Sequence, residues 1–167
     1  MIATLSNKVC VAGMGEVRVS PDPDDTLSCL GLGSCVALCL HDPVARIGGI
    51  AHVVLPECNR PVDDNTCGRF ADTAVPWILQ QMCSRGAIKS RLVVKLVGGA
   101  QMIQADGFEP SIQMGARNID KVRAALKQQS LRVTAEDVGG HQGRSVWLQV
   151  GSGVVTTKCA YGTPRQL

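Results

Sequence analysis

What the sequence lacks excludes several classes of protein. Aromatic residues make up 3% of the 167 residues, and no run of neighbouring basic residues is interleaved with them, so a nucleic-acid partner is not expected. The longest nearly apolar stretch, residues 29–40, contains glycines and is too short to span a bilayer. Residues 1–8 lack the charged start and apolar block of a signal peptide. We therefore expect a cytoplasmic protein with no direct membrane insertion.

Cysteine, in contrast, is abundant, with eight residues in the chain. No two of them form a C-x-x-C pair, and the three histidines do not fall at zinc-finger spacing. In the reducing compartment expected for the chain, disulfides are rare. We therefore expect no metal, no cofactor and no disulfide framework, and we interpret most cysteines as small buried hydrophobic residues. The cysteine count still leaves a zinc or thiol redox protein open as an alternative.

The length suits one compact domain, residues 1–167. Hydrophobic residues are 45% and charged residues 19%, which is typical of a folded globular chain. Short segments rich in Val, Ile and Leu and bounded by Gly, Pro or Asp are predicted strands: 8–19, 34–40, 47–55, 91–97, 131–136, 144–150 and 153–159. Strands outnumber helices, and the helices are unevenly spaced. This favours a mixed α/β fold, a β-rich sandwich of mixed sheets flanked by helices, over a doubly wound parallel sheet.

Two segments have helical periodicity. The apolar face of the first consists of Phe70, Ala74, Trp77, Ile78 and Met82. Asp72 is its expected N-cap and Gly86 its expected end, which places Pro76 in the first turn. The second helix is predicted to follow Asn118 as N-cap, because apolar residues recur at spacings of three and four over 119–126.

Cys35 and His52 are the candidate catalytic pair. Cys35 follows the turn 31–34, where Gly33 and Ser34 can bring backbone N–H groups close to a ligand as an oxyanion hole. The chain then turns at 42–43 and returns through His52, so neighbouring strands would place the imidazole across from the thiol. An imidazole that takes the proton of a thiol creates the attacking thiolate. A cysteine and a histidine in apolar strands are also ordinary core residues, and the pattern alone leaves both interpretations open.

A set of separate motifs in a fixed order resembles the CheD family of chemoreceptor glutamine deamidases. The motifs are LGLGSCVA at 30–37, HDP at 41–43, GIAHVVLP at 49–56, FADTA at 70–74, GGAQM at 98–102, GARN at 115–118 and AEDVGG at 135–140. Several motifs in one order are far more specific than any one of them. The resemblance extends from about residue 10 to 158.

The resemblance implies a cytoplasmic enzyme that hydrolyses receptor glutamines to glutamate and releases ammonia through a Cys–His–Thr triad. It implies a fold similar to the catalytic domain of the cytotoxic necrotizing factor toxins. Cys35 and His52 match the family's nucleophile and base, whereas the threonine six residues before the nucleophile is replaced by Cys29. Sulfur accepts hydrogen bonds weakly, so we expect an imidazole that is oriented less firmly, or by a backbone carbonyl.

The resemblance also implies partners. The cytoplasmic helices of chemoreceptors would be the substrate, and a CheC-type phosphatase is a further expected partner. Met102 and Ile103 follow a Gly-Gly turn and could form an apolar lip for either partner, although a core role fits them equally. The loss of the threonine keeps a second function open, that of a non-catalytic or weakly catalytic chemotaxis regulator that binds a CheC-type phosphatase.

Overall fold

The computed structural model of the protein describes residues 8–102 and 113–167. In these residues the chain forms two sheets of five strands each. The first sheet contains, in spatial order, β1 (Val9–Val11), β3 (Thr26–Leu32), β8 (Arg144–Gln149), β9 (Val155–Cys159) and β10 (Arg165–Gln166). The second contains β2 (Val17–Ser20), β5 (Ile47–Val53), β4 (Val36–Asp42), β6 (Val93–Gly98) and β7 (Val133–Val138). Both sheets are mixed, because β1–β3 and β6–β7 pair in parallel and the other neighbours are antiparallel.

Two α-helices, α1 (Ala71–Cys83) and α2 (Met114–Gln128), cover the outer face of the second sheet. Alternate side chains of β4 point to this face, where Val36, Leu38 and Leu40 pack in one cluster with buried residues of both helices. The opposite side chains, Ala37 and Cys39, lie in a second cluster between the two sheets. The layers are therefore sheet, sheet and helices. The predicted β-rich mixed fold is confirmed, with the helices on one side only.

Several predicted boundaries were wrong. The predicted strand 8–19 is divided into β1 and β2 by a turn, and β3 was not predicted. The glycine turn expected at 31–34 is partly strand: β3 runs through Gly31, whose φ is 64°, and its pairing with β8 shifts between Cys29 and Leu32. Glycine in a sequence often indicates a turn that ends a strand, whereas Gly31 accommodates a β-bulge inside β3.

The helix starts were also placed too late. Phe70 is the N-cap of α1 and Asp72 lies in its first turn, so Pro76 is beyond the first turn. Helix α2 begins at Met114, so Asn118 lies inside the helix and is not its N-cap. Neither helix of the described ranges 8–102 and 113–167 combines the length and the apolar content that a membrane crossing requires.

A buried carboxylate joins the end of β4 to the segment before β6. Asp42 is fully buried and accepts hydrogen bonds from the backbone N–H groups of Val44, Ala45 and Ile88. It also forms an ion pair of 2.8 Å with Arg91. Burial alone would raise the pKa of Asp42, but the N–H groups and the Arg91 guanidinium together hold the pKa of this carboxyl well below its ordinary range.

We expect Asp42→Ala to lower the free energy of unfolding by about 3–5 kcal/mol, because it leaves three backbone N–H groups without their acceptor and the partly exposed Arg91 without its partner. Urea denaturation measures this change. The control is Glu57→Ala, which removes an exposed ion pair with Lys121 and should leave the midpoint nearly unchanged. Because folding lowers the pKa of Asp42, its carboxylate stabilises the folded state at pH values above the unfolded pKa of about 4. This stabilisation is lost as the pH falls further below that value. Equal midpoints for both variants would contradict this assignment.

Candidate active site

The pairing of β4 with β5 brings Cys35 and His52 together. The two strands are antiparallel, with Ala37 opposite His52 and Val36 opposite Val53. Cys35 directly precedes β4 and packs with the cluster between the sheets, as Ala37 does. Residues two apart on a strand share a face, so Cys35 is the diagonal neighbour of His52. The predicted juxtaposition is therefore present in the backbone register.

A short segment between β1 and β2 holds His52 on three sides. The Nδ1 atom of His52 lies 3.1 Å from the carbonyl oxygen of Ala12. Gly15 N–H donates to the His52 carbonyl at 2.9 Å, and His52 N–H donates to the Glu16 carbonyl at 3.0 Å. Ala12 N–H in turn donates to the Ser28 carbonyl in β3. The imidazole, which is 4% exposed, is thus fixed between the two sheets.

The contact with Ala12 determines the tautomer of His52. A carbonyl oxygen can only accept a hydrogen bond, so Nδ1 carries the proton and Nε2 presents its lone pair. This is the arrangement that a general base requires, with the base oriented by a third group. Cys29 is not the acceptor of Nδ1. The expected alternative, orientation by a backbone carbonyl, is found at Ala12.

Cys29 is fully buried in the cluster between the sheets. Its pKa is raised well above the ordinary value, first by burial and then by the nearby Cys39 and Cys35 thiols, whose ionised forms would repel a second thiolate. Burial also raises the pKa of Cys39 to about 12. Both thiols stay protonated at neutral pH and behave as small hydrophobic groups. A catalytic role for Cys29 remains a prediction.

The turn that carries Cys35 is held by its three consecutive carbonyl groups. The Gly33 carbonyl accepts from Ala100 N–H at 2.8 Å, and the Cys35 carbonyl accepts from Gly99 N–H at 2.7 Å. Between them, the Ser34 carbonyl accepts from the side-chain amide of Asn118 at 2.9 Å. A side chain at Gly98 (φ 109°) would overlap the Cys35 carbonyl oxygen, so only glycine allows this approach.

Electrostatics favour an uncharged Cys35–His52 pair at rest. Burial raises the pKa of the Cys35 thiol, and this is only partly offset by its own backbone N–H and by the charge of Arg69. Burial lowers the pKa of His52, opposed by the Ala12 carbonyl and by Glu16. At pH 7 the thiol therefore keeps its proton and the imidazole is neutral. Within the described residues the two side chains share no hydrogen bond, as is common before substrate binds.

Arg69 and Met102 lie near Cys35 and the turn before it. The carbonyl of Arg69 accepts from the N–H groups of Val54 and Leu55, just after β5, and the charge of Arg69 acts on the Cys35 thiol. An open groove of about 610 Å³ extends from this point and is lined by Leu55, Glu57, Cys58, Asn59, Arg60, Thr66, Arg69 and Phe70. Met102, 54% exposed, lies over Gly33, where a Cβ would be 3.1 Å from its Cγ. Ile103 lies outside the described residues.

Comparison with known proteins decides the family. The family model described as CheD chemotactic sensory transduction matches residues 54–159. The probable chemoreceptor glutamine deamidase CheD of Symbiobacterium thermophilum is 44% identical over 86% of this chain and 87% of that protein. The chemoreceptor glutamine deamidase CheD of Thermotoga maritima is 41% identical over 86% of this chain and 87% of that protein. The chain belongs to the CheD family.

Among solved structures, the CheD-family chain matches the Bacillus licheniformis hypothetical protein YfiH with a TM-score of 0.42 and 12% identity. The match covers 81% of this chain and 60% of that chain, and it is too weak to bear on fold or function. In the described ranges of the CheD-family chain, no three His, Cys, Asp or Glu side chains are grouped so that they could hold a metal ion.

Three residues of the site were missed by sequence reasoning. Ala12 acts through its carbonyl, which every residue has, so no sequence signal marks it. The local sequence around Asn118 is typical of a helix cap, but its side-chain amide donates hydrogen bonds to the carbonyls of two residues that are distant in sequence, one beside β4 and one beside β5. Arg69 directly precedes the motif at 70–74, and this position is the one signal that could have drawn attention to it.

We expect Arg69→Ala to slow the alkylation of Cys35 by iodoacetamide at pH 8, because removing a nearby positive charge raises the pKa of the thiol further. The loss should be at most about fivefold, since exposed charge pairs are worth at most about 1 kcal/mol. Peptide mapping by mass spectrometry separates Cys35 from the other seven cysteines. Arg69→Lys, which keeps the charge, is the control. A rate for Arg69→Ala that equals the wild type at low salt would mean that Arg69 does not act on the thiol.

Proposed function

We propose that this CheD-family protein hydrolyses the side-chain amide of selected glutamines on chemoreceptors, with Cys35 as nucleophile and His52 as general base. The observation that carries the proposal is the diagonal placement of Cys35 and His52 at the ends of β4 and β5. The Nδ1 atom of His52 is engaged by Ala12, so its Nε2 atom is available toward the thiol. The chemoreceptor names of the relatives support the substrate.

The first half of the reaction forms a thioester. As the sulfur of Cys35 attacks the amide carbon of the glutamine side chain, the thiol proton passes to Nε2 of His52. Because the resting pair is uncharged, proton transfer accompanies the attack and does not precede it. The imidazolium then donates its proton to the amide nitrogen, the C–N bond breaks and ammonia leaves. The Ala12 carbonyl stabilises the imidazolium through Nδ1–H while the proton is held.

The second half of the reaction regenerates the thiol. A water molecule attacks the thioester carbon and gives one proton to Nε2 of His52. The C–S bond breaks, the proton returns to the sulfur, and the glutamine side chain has become a glutamate. In both halves the developing oxyanion needs donors, and we propose the backbone N–H groups of the turn at Gly33, Ser34 and Cys35 for this role. The N–H of Cys35 already acts on its own sulfur by lowering the pKa of the thiol.

The second candidate function is that of a non-catalytic regulator that binds a CheC-type phosphatase. Cys29 at the threonine position of the family motif is the observation that favours it. The Ala12 carbonyl weakens this argument, because it orients the imidazole without any side chain at position 29. A CheC-type partner, a cytoplasmic location, the single domain 1–167 and similarity to the cytotoxic necrotizing factor catalytic domain remain proposals. Met102 is the described residue that could contact either partner.

Mass spectrometry of a receptor cytoplasmic fragment tests the proposal. We expect the wild-type protein to add about 1 Da to glutamine peptides and to release ammonia, Cys35→Ala to abolish both, and His52→Ala to lower the rate by about 10²–10⁴-fold. The control is Cys83→Ala, which removes an exposed thiol at the end of α1 and should keep the wild-type rate. Deamidation by Cys35→Ala at the wild-type rate would overturn the mechanism. Intact glutamines after incubation with the wild-type protein, with stimulation of a CheC-type phosphatase, would establish the regulator instead.

A further inference from the structure

The site contains a side chain that holds the nucleophile without touching the reacting atoms. We propose that Asn118 is a positioning residue, which ties the Cys35 turn to the strand of His52 so that thiol and imidazole stay in register. The inference rests on the proposed deamidation. It extends that proposal by adding a residue whose side chain bonds to neither the nucleophile nor the base.

Asn118 links two chain segments that are distant in sequence. It is fully buried within α2. Its Nδ2 atom donates one hydrogen bond to the Ser34 carbonyl and one to the Val54 carbonyl, each at 2.9 Å. Both acceptors are carbonyl oxygens, so the amide can be oriented in one way only, with its NH2 group between them. The two N–H bonds of one amide are therefore used for one bridge.

The bridge lies where the sheet ladder stops. The last paired residues of β4 and β5 at this end are Val36 and Val53. Beyond this pair lie Cys35, which Ser34 precedes in the chain, and Val54. Among the described residues the paired register of β4 and β5 does not continue past Val36, so the Asn118 amide connects the two segments there.

The side-chain amide of Asn118 is a poor choice if this residue only fills space between α2 and the sheet. The Oδ1 atom of Asn118 is buried and has no hydrogen-bond partner among the described residues. A buried acceptor without a partner is costly, whereas an apolar side chain at this position would carry no such cost. The fold thus tolerates an unfavourable group in α2 in exchange for the two bonds made by the same amide.

Asn118 is the one side chain among the three donors that hold the turn. The other two, the N–H groups of Gly99 and Ala100, belong to the backbone, and only proline, which also constrains the chain, would remove them. Helix α2 packs on the outer face of the second sheet, whereas the Cys35 and His52 side chains lie on the inner face. Asn118 therefore acts through the backbone of the turn and contacts neither the thiol nor the imidazole.

The test compares Asn118→Ala with Leu126→Ala, a buried residue of the same helix that is remote from the turn. Both substitutions should destabilise the protein. We expect only Asn118→Ala to lower kcat for receptor deamidation by about 10–100-fold with little change in KM, since a small misplacement of a reacting group has an effect of this size. We also expect faster alkylation of Cys35 by iodoacetamide at pH 8, because a loosened turn reduces the burial that raises the pKa of the thiol.

The two measurements separate this inference from the proposed function. Alkylation needs no turnover, so it reports on the turn even if the wild-type protein fails to deamidate receptors, a failure that would count against the proposed function alone. Wild-type kcat and wild-type Cys35 alkylation in Asn118→Ala would overturn the positioning role, as would identical changes in Leu126→Ala. If Asn118→Ala does not fold, Asn118→Leu, which is close to asparagine in size and lacks both donors and the unpartnered oxygen, is judged by the same two measurements.

Discussion

The antiparallel pairing of β4 with β5 is the constraint on which the site depends. A shift of one residue would turn every side chain of a strand to the other face, and either Cys35 or His52 would then point toward the helices. The register is fixed by burial on both faces, since the side chains of β4 are buried toward the helices and toward the first sheet alike. The buried Asp42 secures the other end of the same two strands. The placement of Cys35 beside His52 and the packing of the core thus both follow from one strand pair.

Around this strand pair, the backbone does most of the positioning. The Cys35 turn is held by its carbonyls, and His52 is held by the backbone of the segment between β1 and β2. An orienting carbonyl has no side-chain torsion and loses little entropy on folding, so it can replace a hydroxyl without loss of direction. In the proposed mechanism, this carbonyl orients His52 although the motif carries Cys29 at its threonine position. The buried thiol then contributes to packing between the sheets.

The sequence predicted the β-rich mixed fold and the hairpin that brings Cys35 near His52, because both depend on local patterns. The catalytic role of the two residues stays a prediction. Apolar strands around a short turn predict a hairpin, and the spacing within it places His52 opposite the start of β4. Features that depend on distant contacts were not predictable. The glycine inside β3 looks like a turn until its pairing with β8 is seen, and Asn118 looks like a helix cap until its amide is seen between two strand ends. No residue type is specific for the role of Ala12, because every residue has a backbone carbonyl.

We infer that the His52 imidazole is uncharged at rest, with the proton on Nδ1 donated to the Ala12 carbonyl and none on Nε2. Nitrogen-15 NMR of the imidazole measures the tautomer and the protonation state directly. We expect the neutral Nδ1–H tautomer at pH 7, and a His52 pKa below the ordinary histidine value of about 6.5 because burial lowers it. An Nε2–H tautomer, or an imidazolium that persists above pH 7 because it pairs with a Cys35 thiolate, would contradict it.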